Sequence, residues 1–474
     1  MKIIILGAGE VGTGLVEYLI DENNEITIVD NDVDRLRLLQ NRYDLKVVNG
    51  HASFPGTLRN ADASNADLII AVTGSDETNM LACQLASSLF KTPKKIARIR
   101  NNDYLLEKDI LFNKNSINID NIISPEYLIT EEISKLIEYP GTLNIADFCN
   151  DKISLTCVKA YYGGELVGYP VNHITKHISN VPVNIIAIYR NGKYIQVSNN
   201  SIIEADDEIF YVTLKGYTRY VMSVMQKLET PYRRIMIFGG TDIGVQLAHK
   251  LSKNYIVKLI ETNESRALKL ADEFDKTKVE VCFSDPSNTD FLQEEHIDHI
   301  DLFVAVSESD EKNIMSSVLT KKMGAKKNIV LIKKQIYKTI IEGDAIDIII
   351  SPQDATISAL LTNIRHNGVE SVKTLRRGEA EGLEVVLNGT KETSNIIGKK
   401  FSEITLPPYT TICAVSRDNV INIPNSEFEF EENDRIIFYI SNKKYIKELI
   451  KLFTPCANFF QKAYRSKQTN NEIE

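Results

Sequence analysis

Three glycines, Gly7, Gly9 and Gly12, sit in KIIILGAGEVG at the spacing G-x-G-x-x-G, directly after an apolar run and at the start of a helical pattern. Each has a separate task in a dinucleotide-binding turn. Gly7 permits a tight turn, Gly9 lets backbone approach a pyrophosphate, and Gly12 lets helix pack closely on strand. Ala8, Glu10 and Val11 fill the intervening positions. The N–H groups and dipole of the helix that starts here favour a phosphate. The next apolar run, ITIVD, ends in a carboxylate, Asp30. There it can accept hydrogen bonds from both ribose hydroxyls, which argues for NAD(H) or an adenosine nucleotide and against NADP. Thr73 and Gly74 end the fourth run, LIIAVTG. Open α/β sheets bind ligands at that edge, so these two residues are expected to line the same crevice.

The same grammar recurs downstream. RIMIFGGTDIGVQLAHKL (234–251) repeats residues 2–19, and LFVAVSESDEKN repeats LIIAVTGSDETN; VLIKK follows ARIR, and SPQ (351–353) follows SPE (124–126). Most landmarks recur at about 227 to 234 residues, a constant period that marks an internal duplication. The second turn runs through Gly239, Gly240, Thr241, Asp242, Ile243 and Gly244, with Glu261 in the place of Asp30. Thr241 stands where Gly9 stands, and its Cβ crowds the close approach that a pyrophosphate makes. Arg98 is matched by Leu331 and Arg100 by Lys333. The two copies should therefore grip phosphate differently, and the sequence leaves open whether the second holds a ligand.

A dehydrogenase would set such a cofactor against a general acid or base on a separate substrate domain. The intervening module offers His173, Lys176 and His177, and no histidine lies between 371 and 450. His173 and His177 have the i, i+4 spacing of a shared metal, but no third ligand is in view and exposed helix residues are the simpler reading. His51, in VNGHAS, is expected beside the ribose or adenine. No GxSxG, HExxH or GxxxxGK[ST] motif stands where chemistry needs it. Six cysteines (Cys83, Cys149, Cys157, Cys282, Cys413, Cys456) show no CxxC pairing and read as reduced core thiols. The sequence thus contains binding turns without an evident reaction. A formal net charge of −9 argues against a nucleic-acid partner. The Lys-rich run Lys321 to Lys338 reads as a solvated helix face and strand edge, with Lys333 or Lys334 as candidates for a phosphate.

The elements that must position these residues follow from pattern. At 474 residues the chain is too long for one core, and several domains are expected. No stretch approaches the roughly 18 to 20 apolar residues of a membrane-spanning helix, and the N-terminus enters a strand without a secretory signal, so a cytoplasmic location is expected. Residues 1–140 alternate near-continuous apolar strands with helical segments, the mark of a doubly wound, Rossmann-like parallel sheet. Residues 141–228 change to short strands with turns at Gly163-Gly164 and Asn191-Gly192 and an acidic turn, Asp206-Asp207, before EIFYVTL. Residues 229–370 resume the first style and 371–453 the second, a small α+β module; 454–474 form a polar tail. The order is large, small, large, small.

Together MKIIILGAGEVG, ITIVDND, VVNGHAS, ADLIIAVTGSDETNMLACQLA, KTPKKIARIR, SPE and LIEYPG resemble the TrkA family, cytosolic nucleotide-binding regulators of Trk-type potassium uptake. The large repeats resemble the RCK N-terminal (KTN) domain and the small ones its C-terminal companion, over nearly all of residues 1–450. The resemblance implies a non-enzymatic regulator that binds NAD(H) and ATP or ADP, assembles as a homotetrameric ring, and docks at the inner membrane face under a Trk-type potassium channel subunit. Carried over residue by residue, the first site would use Gly7, Ala8, Gly9, Glu10, Val11, Asp30, Thr73, Gly74 and Arg98; the second would use Gly239 to Ile243 and Glu261. The alternatives are an NAD-dependent oxidoreductase and an RCK-type regulator of another cation transporter.

Overall fold

The computed structural model describes residues 1–20, 24–164, 166–173, 178, 181–225, 230–341, 345–365, 368–418 and 420–455. They form two compact units. The first comprises Met1–Glu131, Met236–Lys253 and Val257–Asn363; the second comprises Glu132–Ile235, Asn254–Ile256 and the described residues from Ile364. Lys176, His177 and Cys456, singled out from sequence, lie outside the described residues, as does nearly all of the polar tail.

The first unit holds two six-stranded sheets. One contains β1 (Lys2–Leu6), β2 (Glu25–Asp30), β3 (Lys46–Asn49), β4 (Leu68–Ala71), β5 (Lys94–Arg98) and β6 (Asn121–Ile123), in the order β3-β2-β1-β4-β5-β6. Its neighbours run parallel throughout. Strands covered on both faces must be apolar on both, and β4 (LIIA) is buried at every position. The order reverses between β1 and β4, which opens a crevice beyond their carboxyl ends.

In the helix Glu10–Leu19, which follows β1, Val11, Gly12, Leu15, Val16 and Leu19 are buried. In the helix Asp76–Leu85 after β4, the Ser75 hydroxyl accepts from the Thr78 amide, and Asp76 and Glu77 supply negative charge to the first turn. Cap and charge both stabilise that end. The second sheet repeats the plan with β12 (Arg234–Phe238), β13 (Ile256–Glu261), β14 (Val279–Phe283), β15 (Leu302–Ala305), β16 (Lys327–Leu331) and β17 (Ile348–Ile350), in the order β14-β13-β12-β15-β16-β17. Its helix Asp310–Lys322 is capped by Ser309 as Asp76–Leu85 is by Ser75. The repeat extends to helix starts, not only to strands.

The second unit holds two antiparallel five-stranded sheets. One contains β7 (Thr142–Phe148), β8 (Ile153–Lys159), β9 (Val183–Arg190), β10 (Lys193–Ile195) and β11 (Glu208–Leu214); the other contains β18 (Val369–Leu375), β19 (Ala380–Val386), β20 (Thr410–Arg417), β21 (Val420–Asn422) and β22 (Arg435–Ile440). Their inner faces merge in one core that includes Phe148, Cys157, Phe210, Leu375, Cys413 and Tyr439. Tyr189 and Tyr439 meet through their hydroxyls at 2.8 Å inside it, which satisfies two polar tips that burial would otherwise strand.

Three expectations need adjusting. Lys338, assigned to a solvated face, is buried and paired with Asp354 at 2.9 Å. Cys282, assigned to the core, is only partly buried, whereas Cys83, Cys149, Cys157 and Cys413 are buried thiols as expected. His173 stacks on Tyr169 at 4.5 Å between ring centres.

Each antiparallel sheet is closed by the same device. Arg190 forks onto Asp207 through Nε and Nη2, both at 2.9 Å, and Arg417 forks onto Asp434 at 2.7 and 2.8 Å. Both carboxylates are fully buried and also accept a backbone amide, from Glu204 and Glu431. Removing one partner of such a pair leaves a buried charge. Arg190→Ala is therefore expected to cost about 3 kcal/mol in urea unfolding, the low end for buried pairs because the guanidinium keeps some solvent contact. A loss below about 1 kcal/mol, the range of surface pairs, would reduce the fork to a surface contact.

Candidate functional site

The first turn is built around a backbone collision that only glycine avoids. Gly7 has φ +110°, and a Cβ on Gly12 would lie 1.9 Å from the Gly7 carbonyl oxygen, so the helix rests directly on the turn. A Cβ on Gly9, by contrast, would meet nothing within 4 Å. Gly9 is the N-cap of the helix and offers no side chain to its N–H groups. Those donors are left for another acceptor.

Asp30 does a task that its sequence position did not reveal. Its Oδ2 accepts from the Ala8 amide at 2.6 Å and its Oδ1 from the Asp32 amide at 2.8 Å, so the carboxylate pins the turn to the strand end. A carboxylate has about four acceptor positions. Two remain open to other donors.

Buried polar residues fix the opposite wall. Asn79 accepts from the Thr73 amide and hydroxyl at 2.9 and 2.7 Å and donates to the Arg98 carbonyl at 2.9 Å, tying the end of β4 to the end of β5. Asp76 accepts from the Arg100 and Asn101 amides at 2.9 and 2.8 Å. Arg98 donates through Nη2 to the Thr73 carbonyl at 2.7 Å, while its Nε is buried without a partner. Burial first, and then the neighbouring Arg100, pull its pKa down, but a guanidinium stays charged at any pH where proteins fold.

Around the second turn the framework is copied and the opening is not. Gly239 has φ +112°, a Cβ on Gly244 would lie 2.0 Å from the Gly239 carbonyl oxygen, and Glu261 accepts from the Gly240 and Asn263 amides at 3.0 and 2.8 Å. Asn313 repeats Asn79, accepting from the Ser307 amide and hydroxyl and donating to the Leu331 carbonyl. That last bond fixes Leu331 as the counterpart of Arg98. Thr241, however, caps the helix with its own hydroxyl, accepting from the Gly244 amide at 3.3 Å and donating to the Val306 carbonyl at 2.9 Å. Arg266 folds onto the Gly240 carbonyl and stands 3.9 Å from both Glu261 and Asp242. Its counterpart Arg35 instead pairs with Asp32, at 3.2 Å.

Two cavities result. A cleft of about 620 Å³ is lined by Gly7, Gly9, Glu10, Val11, Asp30, His51, Thr73, Gly74 and Arg98 from the first copy, and by Thr241, Asp242, Ile243, Glu308 and Lys333 from the second. A second cavity of about 460 Å³ is lined by Gly239, Gly240, Thr241, Asp242, Glu261, Arg266, Ser307 and Glu308. Ala8 and Gly12 line neither; Ala8 supplies an amide to Asp30 and Gly12 supplies the helix contact. Of the two lysines offered as phosphate contacts, Lys333 reaches the larger cleft and is paired with Glu308, while Lys334 pairs with Glu311. Asp310 accepts from the Lys333 and Lys334 amides as Asp76 does from Arg100 and Asn101; sequence reading missed the roles of Asn79, Asn313, Asp76, Asp310, Arg35 and Arg266. The recurrence of SDETN as SDEKN carried the signal for the first four.

Glu126, from the SPE motif, also lines the cleft, and its Oε2 is buried without a partner. Burial raises its pKa from 4.5 to about 7 against the pull of Arg100 and Arg98, with Asp242 adding to the rise. Ionising this group is harder in the folded protein than in the unfolded chain. Its contribution to stability is therefore fully present below about pH 4.5 and is lost as pH rises through about 7. Glu126→Gln should remove about 2 to 3 kcal/mol from the fall in stability between those limits. Parallel wild-type and variant curves of stability against pH would show that Glu126 does not titrate there.

Comparison with known proteins agrees with the duplication. The TrkA-N domain matches residues 3–125 and again 235–352, and the TrkA-C domain matches residues 390–454. The Trk system potassium uptake protein TrkA of Vibrio alginolyticus is 49% identical over 459 residues, covering 97% of this chain and 100% of that protein. Its namesake from Haemophilus influenzae is 48% identical over the same shares. Among solved structures, the GsuK RCK domain superposes with a TM-score of 0.59 at 17% identity over 95% of both chains. The GsuK channel bound to NAD gives 0.57 at 16% identity, over 95% of this chain and 79% of that one. The latter two establish likeness of fold, a tandem RCK architecture. With both TrkA-N copies matched and full-length relatives nearly half identical, the chain belongs to the TrkA family of Trk system potassium uptake proteins.

Proposed function

We propose that this chain is a cytosolic, non-enzymatic regulatory subunit that senses nucleotides, binding NAD(H) and ATP or ADP, and gates a Trk-type potassium channel subunit at the inner membrane face as a homotetramer. The observation that carries the reading is the uncapped helix start at Gly9, opening into a cleft whose ribose side is closed by Asp30. The relatives are Trk system potassium uptake proteins. One solved neighbour of the same fold is a channel bound to NAD. No helix among the described residues is long and apolar enough to cross a membrane. The reading as a binding module, rather than an oxidoreductase, is supported by how Asp30 is used: its two oxygens hold the Ala8 and Asp32 amides in place. A nucleotide shifts such a ring only through different affinities for its two states.

The test is potassium flux through the reconstituted membrane partner, with and without NADH, ATP and ADP. Nucleotide-dependent flux is expected from the wild-type protein. Asp30→Ala should bind NADH and ATP more weakly by about 1 to 3 kcal/mol in calorimetry and need correspondingly more nucleotide for the same flux. Because Asp30 also pins the turn, affinity is to be compared at a temperature where both proteins melt far above the assay. Unchanged affinity and unchanged nucleotide response would defeat the assignment.

The two copies should also contribute unequally. The Cβ that Gly9→Thr adds meets nothing within 4 Å, so the variant tests the ligand's approach without a clash in the turn. Combined with Arg98→Leu, it makes the first copy resemble the second, and most tight binding is expected to vanish. Thr241→Gly should leave affinity equal or better. If the double variant kept wild-type affinity and stoichiometry while Glu261→Ala removed binding, the second copy would be the principal sensor.

A further inference from the structure

The turn that enters β15 carries His296, Asp298 and His299, all exposed, with one potential ligand atom from each lying within 4.8 Å of the others. The backbone that presents them is held firmly. Ile297, within the trio, and Ile300, just after it, are buried in the core, and the amides of His296, His299 and Ile300 each close a turn of 2.9 to 3.1 Å onto Gln293, His296 and Ile297. His296 takes φ 53°, and its ring lies 5.7 Å from that of His299 at 29° between planes. Asp298 stands 3.7 Å from His299 Nε2.

The first copy shows that this turn brings its side chains together by design of the backbone. There Asp62, at φ 66°, holds the place of His296 and Asn65 that of His299, and Asn65 Nδ2 donates to Asp62 Oδ1 at 2.8 Å. Donor and acceptor satisfy each other. In the second copy the same geometry gathers two imidazoles and a carboxylate, three lone-pair donors to a metal.

We propose that His296, Asp298 and His299 form a divalent transition-metal site, for Zn²⁺ or a cation of the same class such as Co²⁺ or Ni²⁺, completed by water. Two nitrogen ligands in three favour that class over Mg²⁺ and Ca²⁺, which take oxygen. Zn–N bonds of about 2.0 to 2.1 Å place tetrahedral donors roughly 3.3 Å apart, which exposed side chains reach by rotamer change. The site stands at the amino end of β15, whereas Ser307 and Glu308 of the nucleotide cavities follow its carboxyl end. It is separate from nucleotide binding. A second cluster, Glu280, Cys282 and Glu295, differs because Lys258 already pairs with both carboxylates; an ammonium holds the place of a cation.

The experiment is a titration of the full-length chain, without a polyhistidine tag, with Co²⁺ followed by visible absorption and with Zn²⁺ followed by calorimetry. One tight Co²⁺ per chain, without a thiolate charge-transfer band, is expected. His296→Gln and His299→Gln should each weaken binding at least about tenfold, with melting temperatures unchanged in metal-free buffer. Cys282→Ser and the pair His173→Gln with His177→Gln should bind as wild type. Wild-type affinity and stoichiometry in the His296→Gln, His299→Gln double variant would overturn the proposal. So would loss of binding in either control.

Discussion

The contact on which the nucleotide-binding half depends is between a carbonyl and a missing side chain. In each copy the first helix sits so low on its strand that a Cβ at Gly12 or Gly244 would come within about 2 Å of the turn's own carbonyl oxygen, a distance no real structure tolerates. That closeness sets where the helix points. Its N-terminus is thereby aimed over the crevice between β1 and β4, or β12 and β15, where the sheet order reverses. The strand-end carboxylates then lock the turn by accepting amides on both sides of it.

What differs between the copies is how the released hydrogen-bonding capacity is used. In the first, the helix start has no side-chain cap, and the cleft-lining Arg35 keeps to its neighbour Asp32. In the second, Thr241 takes a helix amide for itself and Arg266 turns inward over the equivalent carbonyl. An N-cap is worth about 1 kcal/mol to a helix, so the second copy gains local stability from a side-chain cap that the first copy lacks. The exchange of Arg98 for Leu331 runs in the same direction. A partly buried guanidinium with an unpartnered Nε is tolerated in the first copy, and the second replaces it with an apolar side chain fully inside the core.

Much of this was legible in the sequence, for identifiable reasons. Parallel strands buried on both faces read as unbroken apolar runs, so KIIIL, LIIA and their repeats announced the sheet. The Gly spacing and the acidic strand ends announced the turns, because few other residues fit those positions. The second role of Asp30, as an anchor for backbone, was hidden because sequence shows a carboxylate and not its acceptors. Asn79 and Asn313 were visible only as echoes of each other; a buried amide side chain bridging two strand ends has no periodicity to betray it. Lys338 was misread because charge in a Lys-rich run argues for solvent, while its burial depends on Asp354, sixteen residues on. His296, Asp298 and His299 passed unnoticed because their spacing matches no familiar metal motif, and only the left-handed turn at His296 brings them together.

The duplication itself has a physical consequence. The larger cleft is lined from both copies, with Gly9, Asp30 and Arg98 on one side and Thr241, Asp242 and Lys333 on the other. A ligand held there touches two halves that differ in charge, and its binding energy depends on where those halves stand. A ligand shifts the balance between two arrangements only in so far as its affinity for them differs, and contacts to both halves are one way to make it differ. Acidic Glu10, Asp242 and Glu308 line the cleft beside basic Arg98, Arg100 and Lys333, so a negative charge placed there is attracted by one set and repelled by the other.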